Sequence, residues 1–86
     1  MDINELISIV KEKLENQIII QSIKIEDKSF LHKGHKNNDK SKFHLKITLT
    51  SSELSQMSKI DNNRKIYKIL EEEVDKYIHS LQILIN

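Results

Sequence analysis

Apolar side chains recur every three or four residues in two stretches of the chain, and this spacing predicts two amphipathic α-helices. The first covers residues 2–15, with Asp2 as its N-cap. The second begins at Asp61 or Asn62 and runs into a strand, with His79 at the junction. One apolar position in each of its turns forms the predicted stripe: Ile66, Leu70, Val74 and Ile78.

Alternation of apolar and polar residues predicts three β-strands, over residues 18–26, 43–50 and 80–85. In the second strand Phe43 and every second residue after it should face the core. His44 then lies on the outer face, where we expect a surface residue ahead of the alternatives, a brace for the loop or an alternative ligand. Residues 51–60 form a connector in a turn or a short 3₁₀ piece. Three of its apolar side chains are predicted to plug the core: Leu54, Met57 and Ile60.

The order of elements is αββαβ, which is typical of an α+β fold. The first two strands should pair antiparallel across a long polar loop at residues 27–42. A right-handed crossover through the second helix should lay the third strand parallel to the second. We therefore expect a single domain over residues 1–86, with a three-stranded mixed sheet and both helices on one face.

Composition excludes several classes of function. The 86 residues carry a net charge of only +1 and no cysteine, which argues against bulk electrostatic binding of nucleic acid and against thiol chemistry. No apolar run approaches the length of a membrane span, and the N-terminal residues do not resemble a signal peptide, so we expect a cytoplasmic protein. No catalytic triad, paired carboxylates or phosphate-binding glycine loop is visible, and we expect no enzyme.

His79 is the strongest candidate for a functional side chain. Its place between helix and strand fits a metal ligand, a core histidine bonded to a backbone carbonyl, or a surface histidine at a helix end. His32 and His35 lie three residues apart in the loop, where they are either metal ligands or solvated filler. The run Glu71–Glu73 is interpreted as a solvated helix face.

Several motifs together resemble the BolA family in order and spacing. FHLKITLTSSEL is similar to the strand of that family that ends in serine, and Arg64 and Tyr67 match its Arg-x-x-Tyr pair. The segment IHSLQI carries its C-terminal histidine as His79, and DKSFLHKGH is similar to its Asp-x-Ser segment leading into a histidine-bearing loop.

This resemblance implies a class II KH-like fold that acts with a monothiol glutaredoxin. The pair would share a bridging [2Fe–2S] cluster, with thiolates of the glutaredoxin and of glutathione on one iron. His79 and one of His32 and His35 would bind the other iron. The isolated protein would be a monomer without a cofactor, and Arg64 and Tyr67 would contact the partner.

The resemblance also implies an alternative function, DNA binding in transcriptional control. The residues that would contact phosphates are basic: Lys33, Lys36, Lys40, Lys42, Lys46 and Arg64. KH domains clamp nucleic acid with a Gly-x-x-Gly loop, and this chain has one glycine, Gly34. We therefore rank the iron–sulfur adaptor first.

Overall fold

The chain folds into a three-stranded sheet with its helices packed on one face. The computed structural model describes residues 1–29 and 43–86. The elements in chain order are α1 (Ile3–Gln17), β1 (Ser22–Asp27), β2 (Phe43–Thr50), α2 (Ser52–Ser55), α3 (Lys59–Ile69), α4 (Glu71–Lys76) and β3 (Ile78–Ile85). This architecture confirms the predicted α+β class.

The sheet has the strand order β1-β2-β3. β1 pairs antiparallel with β2, from Ser22 opposite Thr50 to Asp27 opposite Leu45. β3 pairs parallel with β2, and Asn86 extends that ladder by donating its backbone N–H to the carbonyl of Leu49. Both predicted pairings are therefore confirmed, and β1 and β3 are the two edges.

The core lies between the sheet and the helices because one face of each element is apolar. The alternate positions Leu45, Ile47 and Leu49 of β2 are almost fully buried. They pack with the buried apolar residues of the helices and with two further residues, the C-cap of α1 and the first residue of β3: Leu6, Val10, Leu14, Ile18, Leu54, Ile66, Leu70 and Ile78. Burial of such side chains contributes about 1.5–3 kcal/mol each.

The boundary between α1 and β1 differs from the prediction. The helix extends to Gln17, and Ile18 continues its buried stripe, while the strand begins only at Ser22. Ile19, which lies within the predicted strand, precedes the observed one and is 67% exposed. The intervening turn is fixed from outside, because Ser51 donates its hydroxyl hydrogen to the carbonyl of Ile19 at 2.7 Å.

The connector after β2 is more helical than expected. Residues Ser52–Ser55 form the short helix α2, whose Leu54 is fully buried as predicted. Ile60 does not plug the core and is 66% exposed. The prediction that Asp61 or Asn62 caps the next helix is also wrong, because Ser58 accepts the N–H of Asp61 on its hydroxyl and the helix begins at Lys59.

The long C-terminal helix is divided at Leu70. The backbone N–H of Leu70 reaches the carbonyls of both Ile66 and Lys68, and α4 then starts at Glu71. Leu70 stays fully buried, so the division keeps Ile66 and Leu70 of the predicted stripe in the core, whereas Ile78, its predicted last member, is the first residue of β3. The stretch contains neither glycine nor proline, and the apolar spacing carried no signal for the division.

Glu73 is buried, which contradicts its interpretation as part of a solvated helix face. It is 4% exposed, and its Oε2 accepts from Nζ of Lys13 at 2.6 Å. The neighbouring Glu72 remains on the surface, where it pairs with Lys76 at 3.2 Å. The two adjacent glutamates differ in burial because Lys13 on α1 pairs with Glu73 at 2.6 Å, and the local sequence does not predict this contact.

Tyr67 joins α3 to the edge strand β3. Its hydroxyl donates to the backbone carbonyl of Leu81 at 3.0 Å, which satisfies one acceptor on β3, an edge strand of the sheet that residues 1–29 and 43–86 form. Among residues 1–29 and 43–86, no helix has the length and apolar character needed to cross a membrane.

Candidate functional site

His79 lies at an irregularity in the pairing of β2 with β3. Ile78 stands opposite Phe43 and Ser80 stands opposite His44, so His79 has no opposite residue in the ladder. An extra residue of this kind is a β-bulge, a feature that redirects a side chain. The imidazole of His79 is exposed at this point.

The location of His79 narrows the interpretations made from the sequence. Because the residue is exposed, the interpretation as a core histidine is wrong. It is the second residue of β3, with α4 ending at Lys76 and Tyr77 as its C-cap, so it follows the helix end rather than forming it. A role as metal ligand remains a prediction.

His44 is buried, although we expected a surface residue on the outer face of β2. Its exposed fraction is 5%. Nδ1 of His44 and Oγ of Ser80 share a hydrogen bond of 2.6 Å, in which the donor depends on the tautomer. The rings of His44 and His79 meet edge to face, with centroids 5.0 Å apart and planes at 60°.

The segment after β1 contacts the strand at His44. Oδ1 of Asp27 accepts the N–H of Ser29, and Oγ of Ser29 accepts the N–H of His44 at 3.1 Å. The N–H of Lys28 reaches the carbonyl of His44 at 2.7 Å. The Asp-x-Ser segment therefore fixes the backbone of β2 at His44.

His79, His44 and Ser80 form a cluster, and the other predicted site residues do not belong to it. Arg64 is exposed on α3, and Lys46 is half-buried on β2. Tyr67 is 40% exposed and already bonded to β3. The loop residues of the prediction, His32, His35, Lys33, Lys36, Lys40 and Lys42, lie outside the described residues.

The sequence does not predict that two side chains of the cluster lie together. The alternation pattern places His44 on the outer surface of β2 and indicates no role for Ser80. A regular ladder starting from Phe43 opposite Ile78 would pair His44 with His79 and turn Ser80 to the other face. The bulge instead pairs Ser80 with His44 and leaves His79 unpaired. No residue type in the sequence predicts the bulge.

The cluster offers nitrogen ligands on a rigid element. An exposed imidazole held by a strand and a buried neighbour is suited to bind a metal ion presented from outside, since histidine on one iron of a [2Fe–2S] centre is established chemistry. Within the described part of the chain, no group of three or more histidine, cysteine, aspartate or glutamate residues is arranged to hold a metal ion.

Comparison with protein families identifies relatives across most of the chain. The family model described as BolA-like protein matches residues 14–86. Protein BOLA1, chloroplastic, of Arabidopsis thaliana is 30% identical over 78 residues, and the match covers 87% of this chain and 49% of that protein. A protein of Haemophilus influenzae named DNA-binding transcriptional regulator BolA is 25% identical over 75 residues, covering 87% of this chain and 70% of the relative.

Solved structures share the fold. The BolA domain of SufE1 from Arabidopsis thaliana has a TM-score of 0.78 and 28% identity, with 92% of this chain and 87% of that chain covered. BolA1 from the same plant has a TM-score of 0.77 and 29% identity, with the same coverage. The chain thus corresponds to about half of the first curated relative and to nearly the whole of these two solved chains.

Proposed function

Because the chain belongs to the BolA-like protein family, we propose that it is an iron–sulfur adaptor that binds a monothiol glutaredoxin. The two proteins share a bridging [2Fe–2S] cluster in cluster trafficking or in iron and redox regulation. Thiolates of the glutaredoxin and glutathione hold one iron, and imidazoles of this chain hold the other. The adaptor itself performs no catalysis.

One observation carries this proposal: the exposed imidazole of His79 at a bulge, against a buried histidine. A bulge directs the side chain away from its regular strand position while the paired residues that follow keep the backbone fixed. A ligand on such an element needs little reorganisation when a cluster arrives from a partner.

The second ligand in this proposal is His32 or His35. Ser29 is anchored to the backbone of His44, whose ring touches that of His79. His32 and His35 follow Ser29 by three and six residues in the sequence, and this short separation is why they are the two candidates for the second ligand.

The ligand chemistry is consistent with the composition. The chain has no cysteine, so its strongest side-chain ligands for iron are imidazoles. Two neutral imidazoles on one iron raise the reduction potential of a [2Fe–2S] centre compared with thiolates. A cluster held in this way differs in absorbance and circular dichroism from one held by thiolates alone, and this difference provides the measurement.

The test is to mix the protein with a cluster-loaded monothiol glutaredoxin and record visible absorbance and circular dichroism. We expect an altered spectrum, because nitrogen ligands replace part of the original coordination. The change should be abolished in His79→Ala and reduced in one of His32→Ala and His35→Ala. Gln82→Ala, an exposed substitution on the same strand, is the matched control and should behave as the unmodified protein.

An unchanged spectrum on mixing would contradict the proposal. So would a spectrum that changes equally with the unmodified protein and with His79→Ala. Binding of the two proteins without any spectral change would instead indicate a heterodimer in which no metal is shared.

DNA binding is a second candidate, favoured by the name of the Haemophilus influenzae relative. Of the basic residues predicted to contact phosphates, the exposed Arg64 and the half-buried Lys46 lie in the described part of the chain. Such binding should weaken steeply with salt, since it depends on released counterions. It should also survive His79→Ala, which distinguishes it from the adaptor function in the same set of variants.

A further inference from the structure

We propose that His44 is a positioning residue for His79, and that Ser80 fixes the orientation of His44. This inference rests on the proposed function, because the positioned imidazole is the ligand assigned there to the cluster. It assigns a role to His44, which contacts the ring of His79, and to Ser80, which is hydrogen-bonded to His44.

The backbone at His44 is anchored from the neighbouring segment. Ser29 accepts its N–H and Lys28 donates to its carbonyl, so both polar groups of the residue are bonded on the side of β1. The side chain is 5% exposed. A buried ring on a doubly bonded backbone is a rigid surface against which another ring can be placed.

The bulge gives Ser80 its part in the arrangement. By passing over His79, the ladder brings Ser80 opposite His44 and onto the same face of the sheet. The resulting 2.6 Å hydrogen bond restrains the rotation of the His44 ring, because flipping the ring by half a turn would break it. The same irregularity therefore displaces the ligand and supplies the partner that orients its neighbour.

The ring contact connects this anchor to His79. A centroid distance of 5.0 Å and an angle of 60° are within the range of favourable edge-to-face aromatic pairs. An exposed histidine otherwise samples several side-chain rotamers. Contact with a fixed ring favours one of them, which is the role that surrounding residues commonly have for metal-ligating histidines.

The first measurement uses the protein alone. In ¹⁵N,¹³C-labelled protein, three-bond couplings report the χ1 rotamer of His79, and cross-relaxation reports the contact between the two rings. We expect a single dominant rotamer and ring-to-ring cross-peaks in the unmodified protein. In Ser80→Ala the cross-peaks should weaken and the couplings should move toward averaged values.

Two controls separate positioning from general loosening of the strand. Gln82→Ala alters another exposed residue of β3 on the same face and should leave the His79 couplings unchanged. His44→Phe keeps an aromatic ring in the buried site but cannot bond to Ser80, and it should reproduce the averaging of Ser80→Ala. Thermal unfolding of each variant checks that the fold is retained.

The second measurement is titration of the protein into cluster-loaded monothiol glutaredoxin, followed by circular dichroism. Ser80→Ala and His44→Phe should weaken formation of the altered chromophore by about ten-fold, the lower end of the range for outer residues of metal sites. Saturating amounts should still produce the same final spectrum, because the ligands themselves are unchanged.

The two proposals can fail separately. Averaged His79 couplings in the unmodified protein, or couplings in Ser80→Ala and His44→Phe identical to those of the unmodified protein, would overturn the positioning role. Unweakened chromophore formation in these variants would overturn it as well. A chromophore that survives His79→Ala overturns the adaptor function instead, while the couplings of the isolated protein still test whether His44 orders the neighbouring ring.

Discussion

Ser51 shows how much one small polar residue contributes where three elements meet. It is fully buried at the end of β2. Its hydroxyl oxygen accepts the N–H of Leu54 as the N-cap of α2, and its hydrogen is donated to the carbonyl of Ile19. One hydroxyl therefore satisfies a helix start and fixes the turn between α1 and β1.

Ser51→Ala should lower the free energy of unfolding by about 1–3 kcal/mol, because it removes a cap worth about 0.5–2 kcal/mol and the part-buried hydrogen bond to the carbonyl of Ile19. Ser58→Ala removes a cap of the same chemistry at the exposed start of α3 and should cost about 1 kcal/mol. Urea unfolding of both variants measures the difference. Equal losses would show that the bond to Ile19 contributes nothing.

The residue scale is also where the sequence was least informative. Ser51 and His44 are polar residues in or beside a strand, and their burial depends on segments distant in sequence. The backbone N–H of His44 is bonded to Ser29 and its ring to Ser80, which lie 15 and 36 residues away in the sequence. Local alternation reports which face a residue occupies, but it does not report what else covers that face.

At the scale of elements, an ion pair joins the first helix to the last. Lys13 on α1 lies 2.6 Å from Oε2 of Glu73 on α4, and its side chain is 37% exposed whereas that of Glu73 is 6% exposed. Oε1 of Glu73 is buried without a hydrogen-bond partner among the described residues. The carboxylate consequently depends on Lys13 for most of its compensation.

Lys13→Met should lower the free energy of unfolding by about 1–3 kcal/mol, since it leaves a buried carboxylate without its cation. The half-exposed lysine keeps this below the cost of breaking a fully buried pair. Adding Glu73→Gln should recover part of the loss. Lys11→Met, at an exposed position on the same helix, is the control for denaturant unfolding, and an equal effect of the two lysine substitutions would exclude a role for the pair.

Elements were predicted well where their pattern is strong and less well at their ends. Alternation in β2 and the stripe of α1 determine type and face, because a residue displaced by one position would bury polar atoms. The turn before β1 is fixed instead by the bond that Ser51 donates to the carbonyl of Ile19. The start of α3 is set by the bond that Ser58 accepts from the N–H of Asp61. Several polar residues in each region could have served, and only the folded geometry selects among them.

At the scale of the whole molecule, balanced charges are arranged as lysine–carboxylate pairs. Hydrogen bonds from Lys28, Lys65 and Lys76 lower the pKa values of Glu26, Glu53 and Glu72, respectively, below their ordinary value of 4.5. The folded state thus binds fewer protons than the unfolded state near that pH. Stability from these pairs is present above about pH 4.5 and is lost as the pH falls through the lowered values.

A variant with Glu26, Glu53 and Glu72 replaced by glutamine should be less stable at neutral pH and should lose less stability on acidification. The reason is that neutral side chains cannot take up the protons that destabilise the folded state. Urea unfolding at a series of pH values measures the slope. Glu12→Gln removes an exposed carboxyl of α1 as control, and an unchanged slope in the triple variant would contradict the assignment.

Whole-chain topology followed from the order of elements, because antiparallel neighbours and a helical crossover leave few ways to build three strands into one sheet. The site did not follow in the same way. His79 was singled out by its place between a helix and a strand, but its relation to His44 and Ser80 arises from one unpaired residue in a parallel ladder. A single extra residue changes every facing pair beyond it without altering the residue pattern on either side.

Because of the bulge, the side chain at position 79 can be changed without disturbing the pairing of β2 with β3. That residue belongs to no cross-strand pair, and its side chain is exposed, whereas Leu81 to Ile85 are paired with Leu45 to Leu49. Replacing the imidazole by another side chain therefore leaves the cooperative unit intact. A thiol, an amide or a synthetic chelator can therefore be placed at this position. Affinity for an added metal ion can then be varied without a change in thermal stability.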